Sequence, residues 1–421
     1  GRELPRSSFV DRLAPTDAWA EDGGPWPAIE LAIREGRPPS AVAAALAEGR
    51  IRFSGLVPEV PRRPAAADLA EAKVAVVDAV EDPARAGSAV AFSGRVGSGA
   101  WQADHGASIS LLEGVARCPW QAFVHRILGV RPLRDPLVDI AEPDPLLVGL
   151  AVHGALERVA GGAQSGGVLE EVLAQQPEEV EWPSDDLLEE LLLDAAGEAA
   201  AEAGVRERPG IVRMIAARAG SYLEVAREVD WCEGPPRVLG VEARGAVLLP
   251  EGEGRIRFRA DRVDAGPVLV DYKTGAGEPA KTDRTRRKKL LNSIAEGERL
   301  QAAAYADASG GCGRYVFLKP AQGLEPVQRV LEVGAADAEA QHRFRRAVEV
   351  LLTALREGRL PPRVEDGTSG RTPQTCSWCR LREACRRDDS GFRRRLVSSM
   401  ESERDAHEPT PEGAVWWMGR R

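Results

Sequence analysis

The sequence has no run of about 18 uncharged apolar residues and no basic-then-apolar amino terminus, so neither a membrane-spanning helix nor a signal peptide is expected. The expectation is a soluble, cytoplasmic protein with no membrane partner. Cysteine is scarce: six in 421 residues are too few for a disulfide scaffold, and their clustering favours metal or cluster ligation. A phosphate-cradling loop is also missing, because "GAGEPAKT" has Ala280 where G-x-x-x-x-G-K-[ST] requires glycine. ATP binding is therefore not expected of this chain. Net positive charge is lacking as well. At −9 overall, any nucleic-acid partner must be held by a local basic patch. The first residue is Gly1 rather than Met, which suggests a processed product or the carboxy-terminal part of a longer protein.

The length predicts two or three domains. Residues 1–105 mix Pro/Gly loops with alanine-rich helical stretches such as "PSAVAAALAEGR" and form an expected helical amino-terminal region. Residues 106–388 form the expected core. The stretch "GASISLLEGVARCPWQAFVHRILGV" has helical spacing, with Ser108 or Ser110 as cap and Cys118 inside it. In "LLVGLAVHGALERVA", apolar almost all round, His153 and Glu157 sit one helical turn apart. Residues 163–230, acidic and alanine-rich with breaks at Pro183 and Pro209, predict a solvated helical insertion. From Gly240 the period changes to two. Successive strands are predicted in "GVEARGAVLL", "RIRFRADRVDA" and "VLVDYKT", then a helix over "NSIAEGERLQAAAYADAS", strands at "RYVFLKP" and Val327–Val333, and a long helix from Ala335 to Glu357. The fold class is α/β (α+β), with a sheet flanked by helices. The tail, 389–421, is expected to be mobile unless Trp416 and Trp417 dock on a partner.

Chemistry concentrates in the second and third of these strands. A hairpin turning through Gly266 and Pro267 sets Asp261 opposite Asp271, with Cβ atoms about 5 Å apart. Alternation puts Asp271 and Lys273 on one face and Tyr272 on the other. Two adjacent carboxylates need a compensating cation. Hard oxygen ligands without a nearby thiolate favour Mg2+ or Mn2+, ions that bind phosphate oxygens. Phosphodiester hydrolysis follows, with Lys273 orienting the nucleophile or offsetting negative charge. The competing reading is a surface hairpin with a salt-bridged Asp and Lys. Glu242, in "GVEARG", is either a further acidic member or a surface residue. In "RLQAAAYAD", Gln301 and Tyr305 share a helix face.

"DRVD", "VDYKTG" and "QAAAY", in this order and after the helical His153, resemble a RecB-family PD-(D/E)xK nuclease domain spanning about Ser108 to Cys385. The resemblance implies that Asp261 and Asp271 ligate the metal, that Lys273 is the catalytic lysine, and that His153 contributes to the metal site. It also implies that Gln301 and Tyr305 contact DNA near the active site, while Tyr272 lends a main-chain carbonyl to the metal. Relatives usually form the carboxy-terminal end of helicase-like proteins. The implied setting is double-strand break processing and recombinational repair beside a helicase partner subunit, with residues 1–105 as a remnant of such a part. Two alternatives stay open: a non-catalytic DNA-binding or assembly module that keeps the fold, and a stand-alone exonuclease resembling the CRISPR-associated ones.

"CSWCRLREAC" spaces Cys376, Cys379 and Cys385 as C-x2-C-x5-C, suited to one inorganic centre that needs a fourth ligand. Cys232 and Cys312 lie in unremarkable contexts, which leaves Cys118. By spacing alone the centre is zinc or iron–sulfur. The pair "CPWQAF" and "CSWCRLREAC" resembles the arrangement of AddB-type helicase-nuclease subunits, which implies a 4Fe-4S cluster acting as a structural staple. Those relatives often carry an aromatic residue at the position of Val115. Lys281, Arg284, Arg286, Arg287, Lys288 and Lys289, in "KTDRTRRKKLLNS", form the one dense basic run. They are the candidate DNA contacts, single strands or ends being the expected substrate, with Arg257 and Arg259 adding to them.

Overall fold

The computed structural model describes Gly94, Val96 and residues 106–130, 145–161, 166–202, 209–249, 254–277, 282–365, 372–377, 379, 381–382 and 385–418. Packing divides the chain into Gly1–Val90 and Ala91–Arg421, and every described residue belongs to the second unit. The expected helical region 1–105 falls outside the described residues apart from Gly94 and Val96.

A mixed seven-stranded sheet is the frame, in the order β2 (Glu178–Glu179), β3 (Arg237–Leu248), β4 (Arg255–Asp264), β5 (Val268–Lys273), β6 (Cys312–Phe317) and β7 (Val330–Gly334). A two-residue β1 (Ala107–Ser108) pairs parallel with β4. Neighbours in the main order are antiparallel except β5 and β6, whose parallel pairing needs a crossover. α7 (Asp283–Ala295) and α8 (Gln301–Ser309) supply it.

One sheet face packs on α1 (Ile109–Arg117), α8 and α9 (Ala338–Arg356), through Leu112, Val115, Ala260, Leu269, Tyr305 and Phe344 among others. Ser108 caps α1, its hydroxyl accepting from Leu111 N–H at 3.2 Å. Cys118, expected inside a continuous helix, instead ends α1 with φ −160° and ψ 105°. Pro119 follows it, and a residue before proline is pushed out of the helical region. The chain then continues as the short α2 (Pro119–Ala122).

The other face carries a second core under α3 (Pro145–Gly161), α5 (Asp185–Glu202) and α6 (Pro209–Asp230), while the short α4 (Leu169–Leu173) lies against β3. The solvated insertion predicted for 163–230 is thereby corrected: α5 and α6 are two of the three helices of this layer. Their buried stripe is mostly alanine, Ala195, Ala196, Ala199, Ala216, Ala219 and Ala226, which lets helices approach closely while adding little to an apolar sequence signal. α3 is apolar nearly all round because it is wedged between these helices and the sheet. The basic run is helical, opening α7 behind a Thr282 cap, and Lys281 lies outside the described residues.

Beyond the sheet, α10 (Ser390–Ser402) and α11 (Pro411–Trp416) close a small core of Val364, Phe392, Met400, Trp416 and Trp417. Trp417 Nε1 donates to the Met400 carbonyl at 2.6 Å. The expected mobile tail therefore docks on its own chain, because two large indoles find an apolar seat there. No described helix is long and apolar enough to cross a membrane.

Candidate active site

The β4–β5 hairpin pairs Arg262 with Val270, Val263 with Leu269 and Asp264 with Val268. Carried one step further, this register sets Asp261 against Asp271, as the turn at Gly266–Pro267 predicted. The ladder itself ends before that step. Tyr272 N–H donates instead to Asp261 Oδ2 at 2.7 Å, so the aspartate side chain takes the hydrogen bond of the next backbone group.

His153, on α3, brings Nδ1 to 3.3 Å from Asp261 Oδ2. Lys273 Nζ lies 2.6 Å from Asp271 Oδ2, donates to Gln301 Oε1 and sits 5.5 Å over the Tyr315 ring. The Tyr305 hydroxyl donates to the Arg259 carbonyl at 2.7 Å and stands 3.3 Å from Asp271 Oδ1. Asp261, Asp271, Lys273, His153, Gln301 and Tyr305 thus converge from α3, β4, β5 and α8. α8 reaches this place because Gly313 on β6 has no Cβ, which would land on the Ala302 carbonyl oxygen.

Electrostatics follow from burial. Burial raises the Asp271 carboxyl, and the Asp261 charge adds to this while Lys273 opposes it; the net shift is upward. Burial acts in the same direction on Asp261, but the His153 charge, the hydrogen bonds from His153 and Tyr272, and Lys273 outweigh it and hold this carboxyl below its usual value. His153 and Lys273 both rise: burial disfavours their charged forms, and the neighbouring carboxylates more than offset it.

Sequence reasoning missed Glu113 of α1. Buried, it accepts the Leu300 N–H at 2.8 Å, just before α8 begins, and burial pushes its carboxyl up to about 7 against the opposing pull of Lys273. An acid among the apolar positions of an amphipathic helix was the available signal. Glu242 joins the site's edge: its Oε2 is 2.6 Å from Arg259 Nε, it interacts electrostatically with Asp261, Glu157 and His153, and burial raises its carboxyl to about 7. Its φ of +52° is a left-handed value inside a strand, a conformation that costs roughly 1–3 kcal/mol and concentrates at functional sites. Across the sheet, Tyr272 does face the other way. Its hydroxyl donates to Asp230 Oδ2 at 3.0 Å and accepts from Arg262, while Arg262 also pairs with Asp230 and Asp264.

Residues 107–386 match the PD-(D/E)XK nuclease superfamily. The chain belongs to that superfamily. A comparison with curated proteins found no match. The matched span of this PD-(D/E)XK chain starts at β1 and stops just past Cys385, taking in the carboxylates, Lys273, α8 and four of the cysteines.

Nucleases of the superfamily use divalent metals. Here the two adjacent carboxylates, one raised by burial, suit such an ion in charge and donor type. Each is turned onto a cationic side chain, and among the described residues no three or more His, Cys, Asp or Glu side chains are arranged to hold a metal. Cys118, Cys376, Cys379 and Cys385 are all free thiols within electrostatic range of one another. Burial raises the thiols of Cys118 and Cys385, the latter to about 11, and the neighbouring cysteines push the same way. Gln121 Nε2 donates to Cys379 Sγ at 3.6 Å, and Cys376 Sγ to the Arg363 carbonyl at 3.8 Å. Four soft donors gathered from both ends of the matched span fit an inorganic centre in chemistry.

On α7, Arg284 and Lys288 are exposed and Lys289 is partly buried. Arg286 pairs with Asp283, and Arg287 with Asp337 at 2.7 Å. This helix packs against α9 and β7.

Proposed function

We propose that this chain is a Mg2+- or Mn2+-dependent deoxyribonuclease of RecB type, hydrolysing phosphodiester bonds exonucleolytically in single strands or at ends. The observation that carries the reading is the convergence of Asp261, Asp271 and Lys273 with His153, Gln301 and Tyr305 on one superfamily frame. Asp261 and Asp271, with His153 and the Tyr272 carbonyl, would hold the metal, which supplies Lewis-acid activation of water and of the phosphate. Lys273, tethered between Asp271 and Gln301, orients the attacking water and offsets charge developing on phosphate oxygens. Gln301 and Tyr305 keep that ammonium and the Asp271 carboxylate in place and face the DNA; the basic residues of α7 add phosphate contacts.

Cys118, Cys376, Cys379 and Cys385 hold a 4Fe-4S cluster as a staple in this reading, supported by the C-x2-C-x5-C spacing and by the electrostatic range within which the four thiols lie. The role is double-strand break processing and recombinational repair in the cytoplasm, beside a helicase partner subunit that supplies ATP-driven unwinding.

The test is cleavage of labelled single- and double-stranded DNA with added Mg2+ or Mn2+. Asp271→Ala and Lys273→Ala are each expected to lower the rate at least a thousandfold, roughly 4 kcal/mol of transition-state stabilisation, while folding and visible absorption persist. Cleavage at the wild-type rate in either variant sinks the site assignment.

A further inference from the structure

The sheet is covered unevenly. The core under α3, α5 and α6 takes Val270 and Tyr272 from β5, Val316 from β6 and Leu318 from just after β6, and none of its buried residues from β3 or β4. α3 meets those two strands near the site, through Gly161 against Val241 and His153 against Asp261.

On β4, Ile256, Phe258 and Ala260 are buried against the opposite core, while Arg255, Arg257 and Arg259 between them are exposed. On β3, Ala243 and Val247 face that same core, and Arg244 and Leu248 are exposed. The register sets Arg244 directly against Arg259, Ala246 against Arg257 and Leu248 against Arg255. The open half-face therefore presents four arginines, two of them opposed across one ladder step. Like charges directly opposite are destabilising without an anion between them. Arg259 has Glu242 at 2.6 Å, and Arg257 donates to the Gly106 carbonyl at 3.3 Å. Beyond Arg259 the alternation of β4 shifts, since Ala260 and Val263 both enter the same core, and Asp261 lies in that step.

We infer that this half-face is the track on which the phosphodiester backbone of a single nucleic-acid strand approaches the end of β4 that carries Asp261. The inference rests on the nuclease reading and names the path its substrate takes. Alternate residues of a strand are about 6.7 Å apart, close to two rises of a stacked single strand at about 3.4 Å each. Arg255, Arg257 and Arg259 thus offer a row of guanidinium groups along β4 toward Asp261, Arg259 of them paired with Glu242, and Arg244 widens the row by one strand. Guanidinium contacts to phosphate carry no base information, so such a track would hold any sequence.

The experiment is fluorescence anisotropy of a labelled oligothymidylate with the full chain, at several salt concentrations and without added divalent metal, so that binding is read apart from cleavage. Arg255→Gln combined with Arg257→Gln is expected to weaken binding at least tenfold at low salt. It should also flatten the slope of log K against log salt by about 1.4, two phosphate contacts at roughly 0.7 each. Arg394→Gln with Arg395→Gln, exposed residues of α10, removes equal charge elsewhere and should leave both quantities unchanged. An unaltered slope in the β4 variant overturns the track, as does an equal loss in the α10 variant or a wild-type chain that binds no single strand. Failure of the nuclease reading looks different: wild type binds with the expected slope and never cuts when metal is supplied.

Discussion

Lys273 is the residue on which most of the site's charges turn. Its ammonium stands between Asp271 and Gln301, lies over Tyr315 and lowers the cost of ionising Glu113. Glu113 still titrates near 7, and this has a consequence for stability. A carboxyl raised on folding contributes stability that is fully present below its unfolded value and is lost as pH rises through the folded one. With an unfolded value of 4.5 and a folded value of about 7, wild type should lose up to roughly 3 kcal/mol as pH rises from 4.5 to 8. Glu113→Gln keeps a carbonyl for the Leu300 N–H and cannot ionise. Urea unfolding at both pH values should find the two proteins alike at pH 4.5 and the variant more stable at pH 8; a variant equally stable or weaker at pH 8 contradicts this. Asp261, Asp271 and Lys273 were legible as residues because a period-two pattern and a two-residue turn bring them together within a few positions. Glu113 was not, since its partner Leu300 is remote in sequence and only tertiary packing makes the acid buried.

At the scale of elements, one helix and one strand decide the fit. α8 carries Gln301 and Tyr305 to Lys273 and Asp271, and lies against β6 only because Gly313 leaves room for the Ala302 carbonyl. Gly313→Ala should push α8 outward. The expected result is a stability loss of at least about 1–3 kcal/mol from overpacking and a fall in DNA cleavage by tenfold or more, even where the variant is fully folded by circular dichroism. Full cleavage by a folded Gly313→Ala protein would mean that α8 does not position the site. The β-hairpin was readable from alternation, and so was the QAAAY helix from its spacing. The layer of α5 and α6 was not: helices whose buried face is alanine read as solvated until the sheet beneath them is known.

For the molecule as a whole, the ends matter. Cys118 lies at the start of the matched span and Cys385 at its close, while α10 and α11 seat Trp416 and Trp417 on Val364 and Met400. The proposed cluster would close a very long loop, and by chain-entropy arithmetic such closures contribute on the order of 5 kcal/mol. Cys118→Ser and Cys385→Ser should each lose bound iron in anaerobically purified protein, measured by iron assay and visible absorption. Each should also lower the unfolding midpoint of the entire chain, in one transition. Zinc in place of iron, or a midpoint unchanged by either substitution, overturns the iron–sulfur staple.

The sequence by itself determined the order of elements, the register of the β4–β5 hairpin, and the cysteine spacing, because each depends on local rules of alternation, turn length and short separation. Only the tertiary structure decided which side chains surround those groups: Glu113 beneath Lys273, Asp230 under Tyr272, Glu242 on Arg259, and the half-face of arginines that no described helix covers. These depend on surfaces far apart in the chain meeting with matching shape, and no local pattern encodes where a neighbouring layer stops.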